Sequence, residues 1–378
     1  SPYIGTFEAV TPGYGDMNAV KPASPDLTHL KYETITSNNI GVDFGLFSDK
    51  VNFTFELYKK VTDDMLQKKM KVPSSTGLST VAWYNSGKIQ NKGWEFNIDI
   101  AAVKTKDWSF NFGFNISQNK NEILELPENK NDELYTFGNK NYAYSVMMGD
   151  PLGSFYGYRY KGVYQNVEET YAVNTSGQRI LDIDGNPVVM KNGDQKVYPG
   201  DARYEDVNGD GVIDENDIVY LGNSNPTLTG GLNFTLRYKK VSLVAAFHGR
   251  AGQKVINQAR MDMENMRGKN NQSVAVLRRW RSEGDDTDIP RALYDKGYNY
   301  LGSDRFVEDA SFLRLKTVTL KYQMPAKWMK AIGVNKLELY ATGYDMFVWT
   351  KYKGQDPEVN LKAANDGTVA QVAIDSNN

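Results

Sequence analysis

The sharpest chemistry in the sequence is Asp206-Val-Asn208-Gly-Asp210-Gly211-Val212-Ile-Asp214-Glu-Asn-Asp217. Acid or amide side chains at the first, third and fifth positions, and glycine at the sixth, follow the EF-hand calcium loop. The seventh position offers a backbone carbonyl, and the ninth and twelfth carry acids. Calcium needs such a crowd of hard oxygens because its flexible shell takes roughly six to eight of them. On this spacing Asp206, Asn208, Asp210, Val212 (through its carbonyl), Asp214 and Asp217 are candidate ligands of one structural Ca2+. Asp217 stands where Glu is usual, and its shorter side chain reaches an ion less easily. The competing reading is a solvated Asp/Asn/Gly turn that binds nothing. No convincing pair of flanking helices exists, so an ion here is expected to pin a long loop and not to drive a sensor.

Little else in the chain suggests catalysis. The 378 residues contain no Cys, and His29 and His248 are the only histidines. Thiol catalysts, zinc–thiolate sites and most His-based sites are therefore excluded. No nucleophile elbow, Walker motif or dinucleotide fingerprint is present. Nothing in the sequence brings two loop carboxylates to the separation that glycosidase chemistry requires. A non-enzyme with no catalytic or cofactor-binding residues is expected. The net charge of −2 gives no electrostatic case for nucleic acid as a partner.

Three further features read as packing. Arg278, Arg279 and Arg281 surround Trp280 in a short helical stretch, Ser273–Trp280, with Val274, Leu277 and Arg281 on related faces. Such a cluster could hold an acidic or sugar ligand, but it reads better as a solvated face over one packed aromatic. Met261, Met263 and Met266 suit either an adaptable contact surface or a loop helix resting on its neighbours. Trp83, Tyr84, Tyr156, Tyr158, Tyr160 and Tyr164 could stack on sugar rings or hold loops against each other.

The elements that must position these residues are strands. Aromatics make up 12% of the chain, Gly numbers 33, and no apolar run reaches the roughly 18 residues of a transmembrane helix. Period-two alternation recurs instead. In 38–46, Ile40, Val42, Phe44 and Leu46 oppose Asn39, Gly41, Asp43 and Gly45. Trp108, Phe110, Phe112, Phe114 and Ile116 oppose Ser109, Asn111, Gly113, Asn115 and Ser117. Further alternating segments cover 51–61, 94–100, 228–238, 241–248, 311–322 and 336–344. Their length of about nine to eleven residues suits a tilted crossing of a bilayer better than a soluble sheet. Tyr58, Trp94, Trp108 and Tyr238 lie near segment ends, where interfacial aromatic girdles belong.

Connection lengths set a direction. The turns at 47–50, 104–107, 239–240 and 324–335 are short, whereas 62–90, 120–227 and 249–310 are long. Outer-membrane barrels put short turns on the periplasmic side and long loops outside, so the long stretches are expected outside the cell.

Several segments resemble the C-terminal half of SusC/RagA-type TonB-linked outer-membrane proteins of Bacteroidetes. They are Asn38–Phe47, Asn85–Glu95, Gly149–Gly157, Gly200–Asp214, Ala310–Lys316 and Tyr352–Glu358, in this order over nearly the whole chain. The resemblance implies an all-β fold, part of an antiparallel transmembrane barrel of about 22 strands with long extracellular loops. Residues 1–378 would be the C-terminal portion of that barrel, lacking plug domain and final strand, and 120–227 a long extracellular loop region carrying the calcium loop at 206–217. It also implies TonB-dependent import of an oligosaccharide or peptide, with TonB engaged through the N-terminal part. The other implied partners are a SusD-like surface lipoprotein, outer-membrane lipid and a dimer of transporter–lipoprotein pairs. Two other readings stand beside transport: a barrel scaffold of another outer-membrane complex, and a secreted calcium-binding, glycan-binding β-protein with a dockerin-like loop.

Overall fold

The fold is that of a computed structural model, which describes residues 5–10, 19–24, 27, 30–71, 80–126, 135–136, 142–144, 147–331, 333–359, 361–362 and 372–375. Its frame is one sheet of eight long strands: β1 (Thr34–Leu46), β2 (Val51–Asp63), β3 (Lys88–Lys104), β4 (Trp108–Glu125), β5 (Leu228–Tyr238), β6 (Val241–Ala251), β7 (Phe312–Gln323) and β8 (Glu338–Thr350). Every strand pairs antiparallel with its neighbours in sequence, so the chain runs up and down in strict order from β1 to β8. Short connections then suffice at one end, and all four lie there.

Register keeps one face apolar across the whole sheet. Val42 faces Phe55, Phe55 faces Phe96, and Phe96 faces Ile116. Farther along, Phe112 pairs with Phe234, Phe234 with Ala245, and Ala245 with Val318. A one-residue slip in any pair would move a polar row onto this face, so the alternation fixes the register. The opposite face carries Asp43, Thr54, Asn97, Asn115, Asn233 and Thr319.

Among the described residues none covers the apolar face. Ile40 is 71% exposed, Phe44 50%, Leu320 53% and Trp349 52%. A contiguous apolar surface this broad is not left in water by a soluble protein, whereas hydrocarbon covers it without cost. Trp108 and Tyr238 pack at 4.3 Å at the short-turn end, and Phe247 and Trp349 at 6.3 Å toward the loop end, giving the aromatic borders of the band.

Two expectations need correction. Tyr58 is not a girdle residue: it lies on the polar face above Gly93, where its hydroxyl donates to Asn119 Oδ1 at 3.1 Å. A Cβ at Gly93 would sit 2.7 Å from that hydroxyl, so the missing side chain makes room for the ring. The strands also run longer than the alternation suggests, to 17 residues in β3 and 18 in β4. Their polar ends keep their ladder hydrogen bonds beyond the apolar band, and hydropathy cannot register that extension.

The buried cores lie in the long connections. Tyr142, Phe155, Leu221, Ile256, Met261 and Phe306 form one. Tyr164, Ala172, Met190, Val197, Tyr204 and Ile213 belong to another, joined by Leu301. The long segments are therefore folded against each other, not extended over the surface.

Candidate functional site

Within 147–227 the chain turns back on itself through short hairpins. Asn174 and Asp182 each accept backbone hydrogen bonds from two and four residues ahead, closing tight loops whose αL positions fall on Gly177 and Gly185. These backbone bonds hold the exposed Asp182 carboxyl below its ordinary pKa. The first hairpin leans on the acidic loop: a Cβ at Gly209 would meet the Thr175 backbone nitrogen at 2.6 Å.

The acidic loop is wound by its own side chains. Asp206 Oδ1 accepts from the Gly209 amide at 2.7 Å, and Oδ2 from the Gly211 amide at 2.8 Å. Asn208 Oδ1 takes the Asp210 amide at 3.1 Å, Asp210 Oδ1 the Val212 amide at 2.8 Å, and Asp214 Oδ1 the Asn216 amide at 2.8 Å. Each of these oxygens keeps a lone pair, and the Val212 carbonyl is a further hard donor, so this set has the chemistry calcium takes. Asp217 is placed differently. It is fully buried, with Oδ1 accepting from the Val207 amide at 2.7 Å and Oδ2 from the Asp214 amide at 2.9 Å. Burial raises its pKa against the pull of those backbone bonds. Asp217 as placed clasps the two ends of the loop, and among the described residues no three acidic side chains converge as a metal cluster.

The loop tyrosines serve packing. Tyr156 donates to Asp150 Oδ2 at 2.6 Å, Tyr160 donates to the Asp288 carbonyl at 2.6 Å, and Tyr158 and Tyr160 both pack on Tyr204. Burial pushes the Tyr158 and Tyr164 hydroxyls up to about 12. Trp83 and Tyr84 lie in the strand Thr80–Asn85 of a separate hairpin. Met261 and Met266 are buried while Met263 is 40% exposed, so helix α1 (Gln258–Glu264) rests on its neighbours. Trp280 covers Gly200, where a Cβ would meet the ring at 2.2 Å. The short helix before it is 3-10 over Val274–Arg278; its buried residue is Val276, while Val274 and Leu277, one turn apart, share the outward face. His248 lies on the polar side of β6 opposite Arg314, and His29 falls outside the described residues.

Charged networks lock the segments together, and these the sequence did not announce. Glu264 on α1 takes Arg260 Nε at 2.9 Å and Arg305 Nη2 at 2.9 Å, with both Glu264 and Arg305 side chains 5% exposed. Arg260 also reaches Glu308 at 3.1 Å. Asp201 is held by Arg291 through two hydrogen bonds, at 2.8 and 3.2 Å, bridging the second and third long segments. On β7, buried Arg314 meets Asp356 at 2.6 Å and Glu358 at 3.5 Å, which joins the segments 310–316 and 352–358. The one advance signal was Arg314 itself, a cation between Leu313 and Leu315 at the loop end of the strand. Between α1 and these segments opens a cavity of about 1030 Å³, lined by Arg260, Asp262, Arg278, Asp288, Lys353 and Gln355. Its lining mixes both charge signs and offers no nucleophile paired with a base.

A sheet with a bare apolar face, short turns at one end and a folded cap at the other defines the wall of an outer-membrane β-barrel. A family model described as TonB dependent receptor-like, beta-barrel matches residues 1–193. The chain is 32% identical over 357 residues to TonB-dependent receptor P26 of Formosa agariphila, covering 93% of this chain and 33% of that one. It is 28% identical over 342 residues to TonB-dependent receptor SusC of Bacteroides thetaiotaomicron, covering 88% and 30%. The solved RagAB peptide transporter has the same fold, with TM-score 0.70 at 23% identity, over 94% of this chain and 36% of that chain. The chain belongs to the TonB-dependent receptor β-barrel family, is of the SusC/RagA type, and is an outer-membrane protein. It spans about a third of the length of the curated relatives it matches.

Proposed function

We propose that this barrel portion serves a transporter that imports a nutrient, an oligosaccharide or a peptide, across the outer membrane, driven through TonB and working with a SusD-like surface lipoprotein. The supporting observation is the folded cap above the sheet. Loops tied by the Arg305–Glu264 and Arg291–Asp201 pairs make a fixed surface around a cavity of about 1030 Å³, suited to holding a solute or a lid. The likeness to SusC and to the RagAB peptide transporter supports the same reading. The dockerin-like secreted reading loses support, since the acidic loop ends in a 3-10 turn (Glu215–Asp217) and a strand (Val219–Asn223), not a helix, follows it.

The test is growth on single nutrients. Deleting the gene, or disabling its TonB contact, should abolish growth on one glycan or peptide source and spare growth on its monomers. Unchanged growth on every source, with the protein present in the membrane, would favour the scaffold reading.

We also propose that Asp206, Asn208, Asp210, Val212 and Asp214 hold one structural Ca2+, with Asp217 turning toward it or closing the loop behind it. The bound ion would offset the mutual repulsion of the loop carboxylates and fix the loop outside the cell, where calcium is plentiful. Chelation should raise protease cleavage within 200–220, and Asp206→Ala with Asp210→Ala should reproduce this and remove the response to calcium. Equal cleavage of both proteins with and without calcium would reject the site.

A further inference from the structure

We infer that the outer surface of the sheet, at its loop end, holds a phosphorylated acyl lipid of the outer leaflet. Lys59 on β2 pairs with Lys92 on β3, and Lys92 pairs with Lys120 on β4. Each stands two residues beyond a member of the row Leu57, Trp94 and Gln118, so all three share the apolar face by alternation. Two strand spacings of about 4.8 Å put the row within roughly 10 Å. Three like charges on adjacent strands repel one another, and against hydrocarbon their cost rises further. An anion among them removes both penalties.

The neighbouring acids do not supply it. Lys92 has Glu122 at 3.7 Å, while Lys59 and Lys120 make no ion pair among the described residues. The next acids toward the loops, Asp63 and Glu125, are both taken by Lys88, at 2.8 and 3.3 Å. On the opposite face the flanking rows are Tyr58, Gly93 and Asn119, and Lys60, Asn91 and Asn121, so only the apolar face has a lysine on each of the three strands.

Beneath the lysines is a groove of about 490 Å³, floored by Ile40, Leu57 and Trp94. Ile40 is 71% exposed, and the Trp94 indole is fixed by its N–H donating to Gln118 Oε1 at 2.6 Å. A free phosphate would satisfy the charges and leave this apolar floor bare. A phosphorylated glycolipid satisfies both, its chains along the groove and its headgroup phosphate across the lysine tips, which snorkel toward the interface. This rests on the membrane placement of the face and not on transport.

The test uses the full-length protein in neutral detergent, titrated with phosphorylated lipid A, its dephosphorylated form and inorganic phosphate, and read by native mass spectrometry. Phosphorylated lipid should bind and the other two should not. The triple variant Lys59→Gln, Lys92→Gln, Lys120→Gln should bind about 25-fold more weakly, a factor of about 5 for each of the two unpaired lysines. Lys60→Gln, on the polar face, should bind as the parent does, and a triple Arg replacement should retain binding. Equal binding of both lipid forms, competition by inorganic phosphate, loss of binding in the Arg variant, or an unchanged Gln variant would each overturn the inference. None of these readouts depends on nutrient uptake.

Discussion

Replacing Glu264 by Gln removes the charge at the centre of the loop cap while keeping its shape. Glu264 sits between Arg260 and Arg305, each 2.9 Å away. Arg260 retains Glu308 at 3.1 Å, but Arg305 has no other carboxylate partner among the described residues. Its guanidinium would stay 5% exposed between Tyr160, at 5.2 Å, and Phe306, at 4.9 Å. Breaking one side of a buried pair costs about 3–5 kcal/mol, and the surviving Arg260–Glu308 contact places this case near ~3 kcal/mol. That corresponds to roughly a hundredfold fall in amide protection. Hydrogen exchange on the full-length protein in detergent should show it in 254–264, 301–309 and 158–164, with β2 through β6 unchanged. Adding Arg305→Met should restore most of the protection, because it removes the buried charge that Glu264→Gln leaves without its partner. A fall below about tenfold, or an equal loss throughout the wall strands, would refute the claim that this network holds the cap independently of the sheet.

Three further outcomes follow from the same packing. Gly200→Ala forces a Cβ to within 2.2 Å of the Trp280 ring at a φ of +88°, and should cost about 1–3 kcal/mol with a shift in Trp280 fluorescence. Asp201→Asn should loosen the join between the second and third long segments, seen as new protease cleavage near Arg291, since it weakens a bidentate contact. Tyr158 and Tyr164 ionise near 12 when folded instead of 10.0, so stability complete below pH 10 should fall as pH rises toward 12, with tyrosinate absorbance rising cooperatively.

The wall was legible because its two faces differ in kind. Residues such as Phe112 and Asn111 declare their sides by chemistry, and register follows from alternation. Sheet order was legible because the turns at 47–50 and 239–240 are too short for anything but adjacent antiparallel strands. The acidic loop was legible in spacing, yet not the inward turn of Asp217, which depends on the amide of Val207 ten residues away. In the cap some packing residues were legible, Trp280 and Met261 among them, but not what they and the charged groups pack against. Its contacts join residues far apart, Tyr160 with Asp304 across 144 positions and Asp201 with Arg291 across 90, and no local pattern encodes such pairs. Tyr58 misled for a related reason: its partner Gly93 is a neighbour only after β2 and β3 pair.

A wall of this kind turns its Phe112–Phe234 face to lipid and its Asn111–Asn233 face to the barrel interior, and this orientation can be measured. It is tested most directly by placing single cysteines at Phe234 and Asn233, adjacent residues on opposite faces of β5 in a chain with no native Cys. Each is labelled with a fluorophore in the full-length protein and reconstituted into vesicles whose acyl chains carry a quencher. Strong quenching is expected at position 234 and little at 233. Equal quenching at both positions, or quenching at 233 alone, would contradict it.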